Sequence, residues 1–268
     1  MASEIQKKQD TPLAIIDYGD DAGAGYENQS AADMAMQFVN VLQKMSPQLE
    51  ESDGLFIEGA KEGDLYNTVT NELLPQGTEF IPGITEHVYV EWIPRDEGGG
   101  FVARHAMDSP LVVKAKANYK FGEWKTDGGN DLIETFYIYG VLVMDGGQLI
   151  PAVIAFAKTK IKVYKGWNTK IRAFQVILED GRRQTPPLFA HRVALGSVND
   201  SNPKGKFKNL SLAPAGGSLT NSLITQDDAR YLAARKVRDM VKGGTAKVDF
   251  DQQNGPAGEV VTEDDVPF

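Results

Sequence analysis

The residues with the clearest chemical potential lie between Lys158 and Arg172. Six cations, Lys158, Lys160, Lys162, Lys165, Lys170 and Arg172, fall in these fifteen residues without a single acid, and Tyr164 and Trp167 are interleaved among them. Cations neutralise phosphates and aromatic rings stack on bases, which are the two ingredients of sequence-tolerant binding to a single strand; one stacked base contributes roughly 1–3 kcal/mol. Read as a helix, the same stretch aligns Ile161, Tyr164, Trp167, Ile171 and Phe174 on one stripe, so the two rings serve equally well as core with the lysines solvated around them.

A second group combines Phe101, Arg104, Lys114, Lys116, Tyr119, Lys120, Phe121, Trp124 and Lys125. From Leu111 to Tyr119, Val113, Ala115 and Ala117 alternate with Lys114, Lys116 and Asn118, which reads as a half-buried strand with a basic outer face running into aromatics. That is the floor expected of a nucleic-acid groove; the plainer alternative is a solvated strand face with Phe121 and Trp124 buried. Lys204, Lys206 and Lys208 with Phe207 form a third, weaker group.

Enzyme chemistry finds less to work with. His87, His105 and His191 are scattered and there is no cysteine, so thiol nucleophiles, thiolate zinc sites and disulfides are excluded. No His-Glu-x-x-His, Gly-x-Ser-x-Gly or phosphate-loop spacing occurs. Glu134 and Asp145, near strand ends, are the acids that a Mg²⁺-dependent nuclease would use, but they form no recognisable pair. No catalytic residue, metal site or cofactor is expected.

Taken as a sum, the net charge of −9 argues against a polyanionic partner, yet its distribution does not. Residues 1–64 carry −9 and residues 243–268 carry −5, which leaves +5 on the stretch between them. Beyond a Debye length of about 8 Å the acidic ends are screened, so the middle can present a positive groove. The elements that must build it are mostly strands. Thr85–Ile93 alternates, with Val88, Val90 and Trp92 opposite His87, Tyr89 and Glu91; Leu132–Met144 is apolar enough to be a central strand. Asp145-Gly146-Gly147 turns into a strand from Leu149 to Phe156, and further strands are expected at 188–195 and 206–212, joined by the polar loop 199–205. Leu13–Ile16 reads as an edge strand. Helices are expected near 31–45, with Met34, Phe38, Val41, Leu42 and Met45 on one face, near 158–174, and near 226–242, with Ala229, Leu232, Ala233, Val237 and Met240 inward. The fold class is α+β, mostly β: a core over 1–242 followed by a flexible acidic tail over 243–268, too poor in apolar residues to pack. No run of about 18 apolar residues is present, so no membrane is expected and the cytoplasm is the default location.

The chain ends in Glu263-Asp264-Asp265-Val266-Pro267-Phe268. Acids, a small aliphatic residue, proline and a terminal phenylalanine make a charged, stiffened plug, and this tip resembles that of single-stranded DNA-binding proteins from bacteria and their phages. The chain exceeds a typical bacterial member in length and lacks a long Gly/Gln/Pro-rich linker, both of which point to the phage type and hence a bacterial host cell. The resemblance implies a non-enzymatic protein that coats single-stranded DNA in replication, recombination or repair, built on an OB-fold barrel here elaborated with helices. It also implies that Asp264, Asp265, Val266, Pro267 and Phe268 dock on replication or recombination proteins. Homo-oligomers occur among such proteins. A strand-annealing recombination protein, a nuclease and a scaffold protein are the alternatives.

Overall fold

The computed structural model describes residues 24–25, 36–118, 124–203 and 205–254. The expected strand at 13–16, the start of the first expected helix, and the tip at 264–268 lie outside them. In chain order the elements are β1 (Gln37–Val41), β2 (Leu65–Asn67), β3 (Leu73–Leu74), β4 (Glu79–Trp92), β5 (Phe101–Ala106), α1 (Pro110–Ala117), β6 (Asp131–Val143), β7 (Leu149–Ala157), α2 (Ile161–Ala173), β8 (Val176–Ile177), β9 (Arg183–Gln184), β10 (Val193–Asn202), β11 (Gly205–Pro214) and α3 (Ala229–Lys242). Nine strands form one sheet in the order β11-β10-β4-β6-β7-β1-β2-β3, with β5 pairing on β4 beside that path. The β1–β7 pair is parallel; the others are antiparallel.

The spine is β4 against β6, the two longest strands, paired along their whole length with one register shift around Gly83. A Cβ at Gly83 would come within 2.5 Å of the Ala234 carbonyl oxygen, so the bare backbone there is what lets α3 lie directly on the sheet. Side chains alternate across β6. Phe136 and Ile138 join one core with Phe80, Ile154 and Phe156, covered by Tyr164, Trp167 and Ile171 of α2. Tyr137 and Tyr139 join the other with Phe38, Val90 and Val153, covered by Ala234 and Val237 of α3. The sheet curls into a half-barrel. Beyond β1, the Gln43 side-chain amide donates to the Lys208 carbonyl (2.9 Å) and accepts from the Lys208 N–H (3.1 Å), so a side chain mimics strand pairing to β11.

The expected strands at 85–93, 132–144 and 149–156 are present within β4, β6 and β7. Four other expectations are corrected. The described part of the helix expected over 31–45 holds β1. Phe38 packs in one core while Val39 and Val41 pack in the other, and a strand buried on both faces is apolar at so many positions that a helical spacing can be found in it too. The strand expected from Leu111 is α1. Ser109 accepts the Val112 N–H through its side chain (3.3 Å), Pro110 occupies the first turn, and Val112 and Ala115, three apart, are buried while Val113 is 56% exposed. The polar stretch 199–205 is no loop: the β10–β11 ladder continues through Asn202↔Gly205. The C-terminal helix packs Val237, Ala233 and Met240 against the sheet as expected, but it also buries Tyr231 and Ala234 and leaves Leu232 exposed; at its start Arg230 donates to both Asp228 and Glu79 of β4.

Packing also continues past residue 243. Val248 bridges to Met36, and the Phe250 ring stacks on Phe101 (5.3 Å), meets Phe38 and Tyr137 edge-on, and lies under the Arg104 guanidinium (4.3 Å). Gln253 is buried; its side chain accepts from the Tyr137 hydroxyl and its carbonyl accepts from Asn40 (2.8 Å). Residues 245–254 are therefore a strap over the α3 side of the sheet, and the tail expected to start at 243 packs at least to this point. A chain ended after residue 254 should keep the urea midpoint of the full chain. One ended after residue 243 should lose stability, and Phe250→Ala should lose about 2–3 kcal/mol for its partly buried ring.

Candidate nucleic-acid interface

On the α2 side of the sheet, β4 and β6 carry a connected row of rings between α1 and α2. Trp124 meets Tyr89 edge-on at 5.4 Å, Tyr89 lies 6.1 Å from His87, His87 stacks on Phe136 at 3.9 Å, and Phe136 stacks on Tyr164 at 4.5 Å. Register makes the row: His87 stands opposite Phe136 and Tyr89 opposite Glu134. A lysine covers each end. Lys116 of α1 sits 4.7 Å from the Tyr89 ring centre and 5.8 Å from that of Trp124; Lys165 of α2 sits 5.5 Å from that of Phe136. Tyr89 and Phe136 are buried supports, whereas Trp124 and His87 are half-buried and both lysines are exposed. This strip of sheet between α1 and α2 is the candidate groove, with the half-buried rings of Trp124 and His87 along it and a cation over each end.

The two basic segments singled out in the sequence, far apart in the chain, thus meet across one groove. The third lies alongside. The α2 helix packs against β11, where Asn209 donates to the Thr159 carbonyl (3.3 Å) and to Asp200 (2.8 Å), and Lys162 pairs with Asp200 (2.6 Å). Exposed Lys170 and Arg172 close α2, complementing its C-terminal dipole, and Lys206 and Lys208 line β11. Lys160 is half-buried at the start of the helix, and burial pushes its ammonium down to about 8.

Other expected contacts are placed elsewhere. Tyr164 and Trp167 are core residues, each 6% exposed, so the stripe reading holds for both rings and they offer no free stacking face. Arg104 is on the opposite side of the sheet, paired with Glu86 (2.6 Å) and bonded to the Tyr139 hydroxyl (3.1 Å). Lys114 is exposed and paired with Asp127. Lys158 is exposed with a left-handed backbone, φ 49°. Tyr119, Lys120 and Phe121, which adjoin Trp124 in sequence, lie outside the described residues, as do Asp264, Asp265, Val266, Pro267 and Phe268.

Sequence reading passed over His87, Tyr89 and Phe136, although the alternation at 85–93 had already set His87, Tyr89 and Glu91 on one face. What it lacked was the register across to β6. Glu134, considered as a metal-binding acid, accepts from the His87 ring at 2.9 Å, and Asp145 follows the far end of the same strand, roughly 35 Å away at the rise of an extended chain. Those two acids cannot share an ion. Among the described residues no three His, Asp or Glu side chains gather as metal ligands, and no helix is long and apolar enough to cross a membrane.

A family model described as Pam3 phage gp34-like protein matches residues 6–247. The chain belongs to this family. Its phage affiliation agrees with the phage type expected from the chain's length and short tether, and the matched span includes α1 and α2 on either side of the groove, all the described strands and the three α-helices. No curated protein and no solved structure matches the chain.

Two carboxylates beside the groove tie its stability to pH. Hydrogen bonds from Lys162, then Asn209 and the Ser201 N–H, pull the Asp200 carboxyl down to about 2. Burial raises Glu91, but bonds from Asn130 and His105, each 2.7 Å, outweigh it and hold the carboxyl below its usual range. Both folded values lie below the unfolded ones, so their stabilisation is fully present above pH ~5 and is lost as pH falls through the folded values. The gap in urea midpoint between the protein and its Asp200→Asn variant should be full at pH 6 and shrink as pH falls from about 4 towards 2; a constant gap would show that the carboxylate's charge is not what matters.

Proposed function

We propose that this phage protein binds single-stranded DNA, coating it without cleaving it, and recruits replication or recombination proteins through its acidic tip. The observation that carries this reading is the ring-floored groove with Lys116 at one end and Lys165 at the other. Such a groove tracks a flexible strand, with phosphates near the cations and bases against Trp124 and His87, and it suits a single strand because the bases must be unstacked from a duplex to reach the rings. The basic rim of α2 and β11 supplies further phosphate contacts. In this reading the curled sheet is an elaborated OB-fold barrel, with Gln43 helping to close it.

The tip adds the second half of the proposal. Residues 255–268 can span at most roughly 46–50 Å from Asn254, so the acids can reach partners well away from the sheet or compete for the basic surface when no DNA is bound. The site of action is the cytoplasm of the bacterial host.

Titration of a labelled mixed-sequence single strand and a duplex of equal length, at two salt concentrations with and without Mg²⁺, tests the reading. Tight, salt-dependent and uncleaved binding of the single strand is expected; equal affinity for duplex, cleavage, or pairing of complementary strands would replace it. Trp124→Ala should weaken binding by roughly 1–3 kcal/mol if a base stacks there. Lys116→Ala and Lys165→Ala should each lower the salt slope by about 0.7. Arg104→Ala, on the far face, should leave affinity unchanged. Deleting residues 259–268 should raise affinity at low salt and abolish capture of host replication or recombination proteins.

A further inference from the structure

The middle of the groove contains a feature that simple phosphate binding does not use. Glu134, 23% exposed in its side chain, is held through Oε1 by His87, and its Oε2 has no hydrogen-bond partner among the described residues. It stands beside Phe136 and opposite Tyr89, between the positions covered by Lys116 and Lys165. A carboxylate there repels phosphate, while the two lysines attract it at either end. A strand laid along the groove therefore keeps its phosphates at the lysines and turns base edges towards Glu134.

An ionised carboxylate accepts hydrogen bonds and cannot donate. Cytosine offers it the N4 amino group; thymine offers a single N3–H between two carbonyl oxygens, each of which repels the second carboxylate oxygen. We propose that Glu134 is a base-reading residue and makes the groove favour bases with an exocyclic amino group, with cytosine preferred to thymine. This rests on the single-strand reading above. His87 is the positioning residue: its bond fixes Oε1 and its stack on Phe136 fixes the imidazole, which leaves Oε2 as the oxygen without a partner among the described residues.

The test measures oligo-dC and oligo-dT of equal length by fluorescence anisotropy at pH 8, where cytosine is unprotonated, on the full chain and on Glu134→Gln and Glu134→Ala. The full chain should bind dC about tenfold more tightly than dT, the discrimination expected of one good base contact. In Glu134→Gln affinity for dT should rise, because a repulsive charge is gone, while affinity for dC should not, so the ratio collapses towards one. A purely structural role for Glu134 would move both affinities the same way. Equal binding of dC and dT by the full chain overturns the inference and leaves the single-strand reading standing. A preference that survives in both variants overturns the assignment to Glu134. Failure to bind either strand overturns the function itself and this inference with it. Circular dichroism of the variants separates loss of fold from loss of recognition.

Discussion

The register of β4 against β6 decides what every other element meets. With His87 opposite Phe136 and Tyr89 opposite Glu134, one face of the pair receives α1 and α2 and the other receives α3 and the strap. A slip of one residue would send Tyr137 and Tyr139 into the α2 core and Phe136 into the α3 core, because side chains alternate with a period of two. The shift around Gly83 belongs to the same constraint, since it places a residue without a side chain under Ala234. The groove is a by-product of this ladder: each of its supporting rings is also a strand residue in the pairing that holds the sheet together.

The sequence was legible where a strand had one strong pattern and opaque where two structures share one pattern. The strands at 85–93, 132–144 and 149–156 carry alternation or an unbroken apolar run bounded by a glycine turn. β1 and α1 do not separate so cleanly. Phe38 to Val41 is buried on both faces, which erases the period, and Leu111 to Ala117 alternates small and basic residues by accident while Ser109 and Pro110 carry the helix signal. The strap was missed for a different reason. Residues 243–254 look too polar to pack, and they do so through Ala246, Val248 and above all Phe250, whose ring sits between rings and a guanidinium already present on the sheet, with Gln253 bonded beneath. No local pattern announces a segment whose burial depends on a surface built elsewhere.

For the site, composition gave the ingredients and topology the arrangement. The lysines of 158–172 and of 114–116 could be picked out as unpaired charge in the sequence, but the acids that neutralise two of them, Asp200 for Lys162 and Asp127 for Lys114, arrive only through folding. Lys116 and Lys165 are different: their ammonium groups lie over aromatic rings, where attraction to the ring face holds a cation without cancelling its charge. That distinction, charge held against charge spent, cannot be read from a count of lysines, and it is why a protein of net charge −9 can still offer two exposed cations beside accessible rings.

The strap has a consequence for geometry on a larger scale. It fastens Asn40 and Tyr137 to Gln253, so the chain leaves the sheet on the side away from the groove. On the proposed single-strand reading, copies side by side on one strand would each hold it by the groove face, and their departure points would all lie on the outer side of the array. The DNA would form the axis and the tips a fringe, whose local concentration rises with every copy added and falls when the array disperses. A visiting enzyme would meet that fringe before it met any DNA.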